Sequence, residues 1–186
     1  MIGYAFCGSF CTLKDSLAAL EMLANKGYEI QPIMSEAVYG TDTRFFSKDE
    51  LCRKIRSIAG RQIIHTVKDA EPLGPKNPLS ALIIAPCTGN TIAKLATGIT
   101  DSSVTMAAKA HLRKDRPLLI ALASNDAMSQ NLGNIGRMLS RKSVYFVPMR
   151  QDDPSGKPHS LIADFSLLPG SLEAMMRGEQ QRPLFV

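Results

Sequence analysis

The turn Gly8-Ser9-Phe10-Cys11-Thr12 contains the first residues whose types and spacing suit ligand chemistry. It separates the apolar run Ile2–Cys7 from leucines that recur at helical spacing. Glycine lets a ligand approach the backbone, and free amide N–H groups at a helix start attract an anion. The turn therefore fits a phosphate cradle, and it fits an ordinary Ser-containing helix cap equally well. It matches neither the dinucleotide-binding nor the P-loop glycine signature, which disfavours both of those sites.

Two further polar turns follow apolar runs later in the chain. The segment Ala85–Thr91 leaves one run and opens a helical pattern, with Thr88, Asn90 and Thr91 as polar groups at the helix start. The segment Ala123–Met128 follows the next run. Because the carboxyl ends of parallel strands meet at one edge of a sheet, we expect all three turns to border one binding cleft.

The elements that must position these turns alternate between strand and helix. The predicted strands are Ile2–Cys7, Tyr28–Met34, Ile63–Ile64, Ala81–Ala85, Leu118–Ala123 and Val144–Val147. The predicted helices are Leu13–Ala24, Ser47–Ala59, Ile92–Ile99, one from Ser102, Met128–Leu139 and Ser171–Met176. The proline-rich stretch Ala70–Pro78 and the polar stretch Arg150–His159 are predicted to be loops. The order predicts an α/β protein with a parallel sheet, Ala81–Ala85 central, in a single domain over residues 1–186.

Composition narrows the class of protein. The chain has 186 residues and a net charge of +5, with 45% hydrophobic residues, which is typical of a globular protein. The sequence lacks a run long enough for a membrane span and lacks a signal-peptide pattern, so we expect a cytoplasmic protein. The basic residues lie in two separate groups without interleaved aromatics, which argues against a nucleic-acid partner. The four cysteines have neither CxxC spacing nor nearby histidines, so we expect no metal site.

The three turns, together with Gly98-Ile99-Thr100-Asp101, resemble the flavoprotein superfamily of phosphopantothenoylcysteine decarboxylases and flavin prenyltransferases. The resemblance implies a Rossmann-like, flavodoxin-type three-layer sandwich. It also implies FMN near a subunit interface of a homo-oligomer, a trimer or dodecamer, with phosphate able to occupy the site when FMN is absent. By position it assigns Gly8, Ser9, Phe10 and Ser35 to the FMN phosphate. It assigns to the flavin itself Thr88, Gly89, Asn90, Thr91 and Ala123.

The decarboxylase substrate clamp is only partly present. Asn125 and Met128 match two of its positions, whereas Leu122, Ser124 and Ser129 replace its proline, first methionine and tryptophan. The resemblance thus argues against a phosphopantothenoyl substrate and leaves Asn125 as a catalytic candidate. His65 lies too far upstream for the decarboxylase base and is interpreted as a structural histidine. Glu71 is nearer the vacated place and is the second catalytic candidate.

Within the superfamily, the sequence resembles the B subunits of dipicolinate synthases, through Asp69–Lys76, Gln151–Pro154 and Lys157-Pro158. This resemblance implies a nicotinamide-binding A subunit as partner and oxidation of dihydrodipicolinate, a dicarboxylate, to dipicolinate in spore formers. Lys76, Lys94 and Lys157 are candidate carboxylate-binding residues. The loop Asp69–Pro78 is expected to reach the cleft or a neighbouring subunit. An FMN-dependent decarboxylase of a cysteine-derived acid and a non-catalytic scaffold with a phosphate pocket remain the alternatives.

Overall fold

The computed structural model describes residues 1–74 and 79–186, and its centre is a twisted sheet. The strands of the described residues are β1 Ile2–Phe6, β2 Ile30–Met34, β3 Leu82–Cys87, β4 Leu118–Ser124, β5 Val144–Phe146, β6 Met149–Arg150 and β7 Leu161–Ala163. The helices are α1 Leu13–Asn25, α2 Glu36–Gly40, α3 Lys48–Ala59, α4 Val67–Ala70, α5 Gly89–Thr97, α6 Ser103–Leu112, α7 Leu132–Leu139 and α8 Leu168–Met176. Among the described residues, no helix has the length and apolar character to cross a bilayer.

The parallel part of the sheet has the order β2-β1-β3-β4-β5. This is the flavodoxin-type order, and the predicted fold class is confirmed. Helices α1, α3 and α8 pack on one face, and α5, α6 and α7 pack on the other, which gives three layers. All six residues of β3 are buried, as the apolar run predicted for a central strand.

The far edge of β4 departs from the predicted, fully parallel sheet. Its first half pairs with β5 in parallel, and its carboxyl end pairs with β7 in antiparallel register, Ala123 opposite Ile162. Strand β6 then pairs with β7, so the predicted loop beginning at Arg150 is flanked by two short strands. Strands of two and three residues are too short for a periodic signal, and only pairing with β4 defines them.

The start of α7 also differs from the sequence prediction. The helix begins at Leu132 rather than Met128. The carbonyl oxygen of Asp126 accepts hydrogen bonds from the amides of Ser129 and Asn131, which holds the preceding residues in turns. The turns keep the polar side chains of residues 124–126 at the carboxyl end of β4.

The described part of the proline-rich stretch, residues 70–74, forms helical turns that pack along α6. Helix α4 and the 3₁₀ turn Glu71–Leu73 pack along α6, and a Cβ on Gly74 would lie 2.8 Å from the carbonyl oxygen of Ala110 near the end of that helix. The amide of Ser80 donates to the carbonyl of Met1, the residue before β1. Gly74 and Ser80 therefore both lie toward the amino ends of the strands, away from their carboxyl ends.

A buried hydrogen-bond network ties α1 to the sheet. The Ser16 hydroxyl donates to the carbonyl oxygen of Ala85 in β3 at 2.6 Å, and the Tyr4 hydroxyl donates to the carbonyl oxygen of Ser16 at 2.8 Å. Ser16 and Tyr4 are both fully buried. This network fixes α1 against β1 and β3, the two strands whose following turns carry the polar residues.

We expect Ser16→Ala to lower the free energy of unfolding by about 1–3 kcal/mol, because a buried carbonyl loses its hydrogen-bond donor. Ser57→Ala on the exposed side of α3 is the matched control, with an expected change within about 0.5 kcal/mol. Urea denaturation measures both. Equal stability of the two variants would contradict the proposed anchoring role of Ser16.

Candidate functional site

A cavity of about 490 Å³ opens at the carboxyl edge of the parallel strands, and all three polar turns border it. It lies over the point between β1 and β3 where the chain leaves the sheet toward opposite faces, the usual ligand site of this topology. The predicted site residues that line it are Gly8, Ser9, Phe10, Thr88, Gly89, Asn90, Ala123 and Asn125. Its volume is within the range of small-molecule sites.

The turn after β1 presents backbone donors toward the cavity. The amide of Ser9 donates to the carbonyl of Cys7, and the amide and hydroxyl of Thr12 both donate to the Ser9 carbonyl, which closes the turn. In the described chain the amides of Gly8, Phe10 and Cys11 have no hydrogen-bond acceptor, and the Ser9 hydroxyl touches only the Cys11 thiol, at 3.9 Å. The turn therefore offers unused donors of the kind that bind a phosphate.

In the turn after β3, some polar groups cap helix α5 and others face the cavity. The Thr88 hydroxyl accepts from the Thr91 amide at 3.2 Å and so caps α5, while the two hydroxyls share a hydrogen bond at 3.0 Å. Thr91 is buried and does not line the cavity. Asn90 is exposed on the cavity side, and its amide N–H, like that of Gly89, has no acceptor within the described residues. The helix start is thus open to an anion or a polar ligand edge.

The turn after β4 is held by a chain of side-chain hydrogen bonds. The Asp126 carboxylate accepts from the Ser124 hydroxyl and, at 2.9 Å, from the Asn131 amide. The Ser124 hydroxyl, with help from Asn131, holds the pKa of Asp126 below its usual value, against a weaker opposite effect of burial. Asn125 is exposed, and its side chain makes no hydrogen bond within the described residues, so its amide is free to contact a ligand.

Gly89 is required by this hydrogen-bonded cluster. A Cβ at this position would lie 2.5 Å from the Ser124 hydroxyl and 2.7 Å from both the Asn131 amide and the Asp126 carboxylate. These distances are closer than real Cβ contacts, so any side chain would push the third turn away from α5. The glycine therefore lets the turns after β3 and β4 approach each other at the cavity floor.

The predicted carboxylate-binding candidate Lys157 also lines the cavity. Other cavity residues escaped prediction because no local pattern marks them: Arg44, Phe45, Asp152 and Ile162. Arg44 and Phe45, from the segment between α2 and α3, line the cavity, and the Arg44 guanidinium lies 4.8 Å from the Phe45 ring centre. Asp152 and Lys157 line it as an ion pair of 2.8 Å. The β7 residue Ile162 joins them because that strand pairs with the carboxyl end of β4.

Other candidates lie elsewhere. The Ser35 hydroxyl caps α2 at 3.4 Å from the Val38 amide and is not part of the cavity wall. Glu71 is exposed on the 3₁₀ turn that packs along α6 and does not line the cavity, so of its two expected places, the cleft and a neighbouring subunit, the cleft of its own chain is wrong. Lys94 pairs with Asp101 at 2.9 Å outside the cavity. Lys76 lies outside the described residues.

His65 and the buried cysteines also take no part in the cavity wall. The His65 ring stacks on Tyr39, with ring centres 3.7 Å apart, which agrees with a structural histidine. Burial raises the pKa of the Cys7 thiol to about 11 and that of Cys87 well above its usual value. Both thiols are therefore protonated and unreactive at neutral pH.

Comparisons with known proteins support the resemblance found in the sequence. The family described as Flavoprotein matches residues 1–161. The dipicolinate synthase B subunit of Bacillus subtilis (strain 168) is 42% identical over 185 residues, which cover 100% of this chain and 92% of that protein. The crystal structure of the dipicolinate synthase B subunit from Bacillus halodurans C has a TM-score of 0.92 at 40% identity and covers 100% of this chain and 95% of its own.

A more distant structure shows the fold alone. It is a dodecameric, FMN-dependent UbiX-like decarboxylase from Escherichia coli O157:H7, with a TM-score of 0.64 at 22% identity and coverage of 79% of each chain. The predicted membership of the flavoprotein family is confirmed, and so is the predicted similarity to dipicolinate synthase B subunits.

We expect Gly89→Ala to lower the free energy of unfolding by about 1–3 kcal/mol, because the added methyl group overlaps the Ser124–Asp126–Asn131 cluster. Gly133→Ala in α7 is the matched control. Its Cβ meets no atom within 4 Å, so it should leave stability unchanged or raise it by up to about 1 kcal/mol. Thermal or urea unfolding distinguishes the two, and a Gly89→Ala protein as stable as the control would refute the close approach.

The hydrogen bonds to Asp126 predict a pH-dependent contribution to stability. Because they lower its pKa in the folded state, the ionised carboxylate stabilises the fold above the unfolded pKa of about 3.9, and this stabilisation is lost as pH falls. The difference in unfolding free energy between the parent and Asp126→Asn should be largest near pH 7 and narrow below about pH 4. Urea titrations at several pH values test this, with Glu21→Gln as the control for losing one exposed carboxylate. A constant difference across that range would contradict the prediction.

Proposed function

The chain belongs to the flavoprotein family, and from that premise we propose that it is the B subunit of a dipicolinate synthase. In this proposal it binds FMN in the cavity and works with a nicotinamide-binding A subunit to oxidise dihydrodipicolinate to dipicolinate during sporulation. The observation that carries the proposal is the full-length similarity to dipicolinate synthase B subunits, at 42% identity and a TM-score of 0.92.

The residues of the cavity fit FMN. The unused amides of Gly8, Phe10 and Cys11 suit the phosphate, and the open start of α5, with Asn90, suits a polar edge of the flavin. Ala123, at the end of β4, offers a small apolar surface beside them. The start of α5 is shaped by Thr88, Gly89 and Thr91, which position its backbone amides for the flavin. Ser35 caps α2 after β2 and contributes only by fixing that helix.

Oxidation of a dihydropyridine ring removes a hydride and a proton. Bound FMN would supply a ring that accepts the hydride, which would then pass to the nicotinamide of the A subunit, while the proton would leave to water in the open cavity. The protein would supply orientation and electrostatics. Asn125 is proposed to orient the substrate, because its side chain lines the cavity without a protein partner in the described residues. Glu71 has no place in this cavity, so any role for it requires a neighbouring subunit.

The residues of the cavity support the two alternative functions, a decarboxylase and a non-catalytic scaffold, less well. A decarboxylase of the related type needs a histidine base, and among the described residues the cavity wall contains no histidine. His65 is stacked on Tyr39 instead. A non-catalytic scaffold with a phosphate pocket would use the free amides of the turn after β1, but it gives no role to the exposed Asn90 and Asn125 side chains in the cavity.

Reconstitution with the A subunit tests the proposal. Dipicolinate should form from dihydrodipicolinate only when both subunits and FMN are present, and this chain, purified alone, should take up FMN. Equal activity without FMN, in a protein that binds none, would identify the scaffold. Release of carbon dioxide from a cysteine-derived acid by this chain alone would identify the decarboxylase.

Ser9→Asp should weaken FMN binding by about tenfold or more, because a carboxylate beside the phosphate cradle repels the phosphate. Ser57→Asp on α3 is the matched control and should leave the FMN dissociation constant unchanged. Flavin fluorescence titration measures both constants, and circular dichroism checks the fold. Unchanged FMN binding in Ser9→Asp would remove this turn from the site.

A further inference from the structure

One charged side chain in the cavity wall, that of the exposed Arg44, has no polar partner among the described residues. Four charged residues line the cavity, and three are engaged: Asp152 with Lys157 in an ion pair, and Asp126 with Ser124 and Asn131 in hydrogen bonds. Across residues 1–74 and 79–186, the Arg44 guanidinium has neither an ion-pair nor a hydrogen-bond partner. The guanidinium lies 4.8 Å from the centre of the Phe45 ring.

The position of Arg44 is fixed by its backbone rather than by its side chain. The Thr43 hydroxyl accepts from the amides of Phe45 and Phe46, at 3.2 and 3.1 Å, and donates to the carbonyl of Phe46. The Asp42 carboxylate accepts from the Lys48 amide at 2.8 Å and ties the turn to the start of α3. The turn thus holds Arg44 and Phe45 at the cavity without engaging the guanidinium donors.

A free guanidinium beside an aromatic ring suits one class of ligand group. Guanidinium binds a carboxylate through two parallel hydrogen bonds, and Arg stacked on an aromatic ring keeps that geometry. Phe45 is 43% exposed, which leaves apolar surface for a flat ring. Lys157, the other cation of the wall, is already neutralised by Asp152.

We propose that Arg44 is the specificity-determining residue for the substrate and binds one carboxylate of a planar, six-membered-ring dicarboxylate beside Phe45. This inference rests on the proposed function and deepens it. The cofactor phosphate does not require Arg44, because the turn after β1, on a different segment, already supplies unused amide donors for a phosphate. The segment that carries Arg44 therefore binds the substrate, and the turns after β1 and β3 hold the cofactor.

The test titrates dipicolinate, and picolinate with its single carboxylate, into FMN-loaded protein with and without the A subunit. Arg44→Gln should weaken dipicolinate binding by about tenfold to a hundredfold, the usual worth of a charged hydrogen bond. The preference for dipicolinate over picolinate should fall at the same time. Arg44→Lys should be intermediate, because it keeps the charge but loses the two-pronged geometry.

Arg53→Gln, an exposed arginine of α3 outside the cavity, is the matched control and should bind both ligands as the parent does. The FMN dissociation constant should be the same in all variants. A loss of FMN affinity in Arg44→Gln equal to its loss of dipicolinate affinity would overturn the proposal by making Arg44 a phosphate ligand. Parental dipicolinate affinity in that variant would overturn it and leave the proposed function standing. Failure of the parent itself to bind dipicolinate in the two-subunit complex would overturn both.

Discussion

The site depends on the opposite crossovers that follow β1 and β3. The chain leaves β1 for α1 on one face of the sheet and leaves β3 for α5 on the other, so the two turns diverge and a cleft must open between them. The Ser16 hydroxyl, bound to Ala85 in β3, fixes α1 beside this opening. Every other feature of the cavity is built around the gap that this topology creates.

The polar groups around the gap are divided between two tasks. Side chains that could compete for a ligand, such as Thr91, Ser124 and Asp126, are engaged with each other or with their neighbours and fix the turns. This leaves the backbone amides after β1 and at the start of α5 without partners in the described chain. Because the engaged groups hold the turns rigid, the free donors are already in place before a ligand arrives, which lowers the entropy lost on binding.

The sequence predicts the inner part of this arrangement well, because the inner strands are apolar runs with glycine or threonine at their ends. Strands β1 and β3 and helix α3 were predicted close to their observed bounds, and the predicted first residue of α3, Ser47, is its cap. Strand β7, the late start of α7 and the place of Arg44 could not be predicted, since each depends on contacts between distant segments. Glu71 is a different case: it precedes β3, and a segment that precedes a strand meets the amino end of that strand, so the sequence order itself argues against a place in the carboxyl-edge cleft.

The predictable and unpredictable parts of the cavity wall have different structural origins. The turns after β1 and β3 are direct consequences of the doubly wound sheet, and any chain with this topology presents amides there. The outer wall of the cavity does not follow from the topology of the sheet. It is formed by the segment with Arg44 and Phe45 and by the loop with the Asp152–Lys157 ion pair, which leads into β7. Since β7 takes the place beside the carboxyl end of β4 that a longer β5 would fill, it brings Leu161 and Ile162 to the cavity. A shared fold can therefore keep the turns after β1 and β3 while the outer wall changes, and under the proposed function the choice of substrate depends on the outer wall.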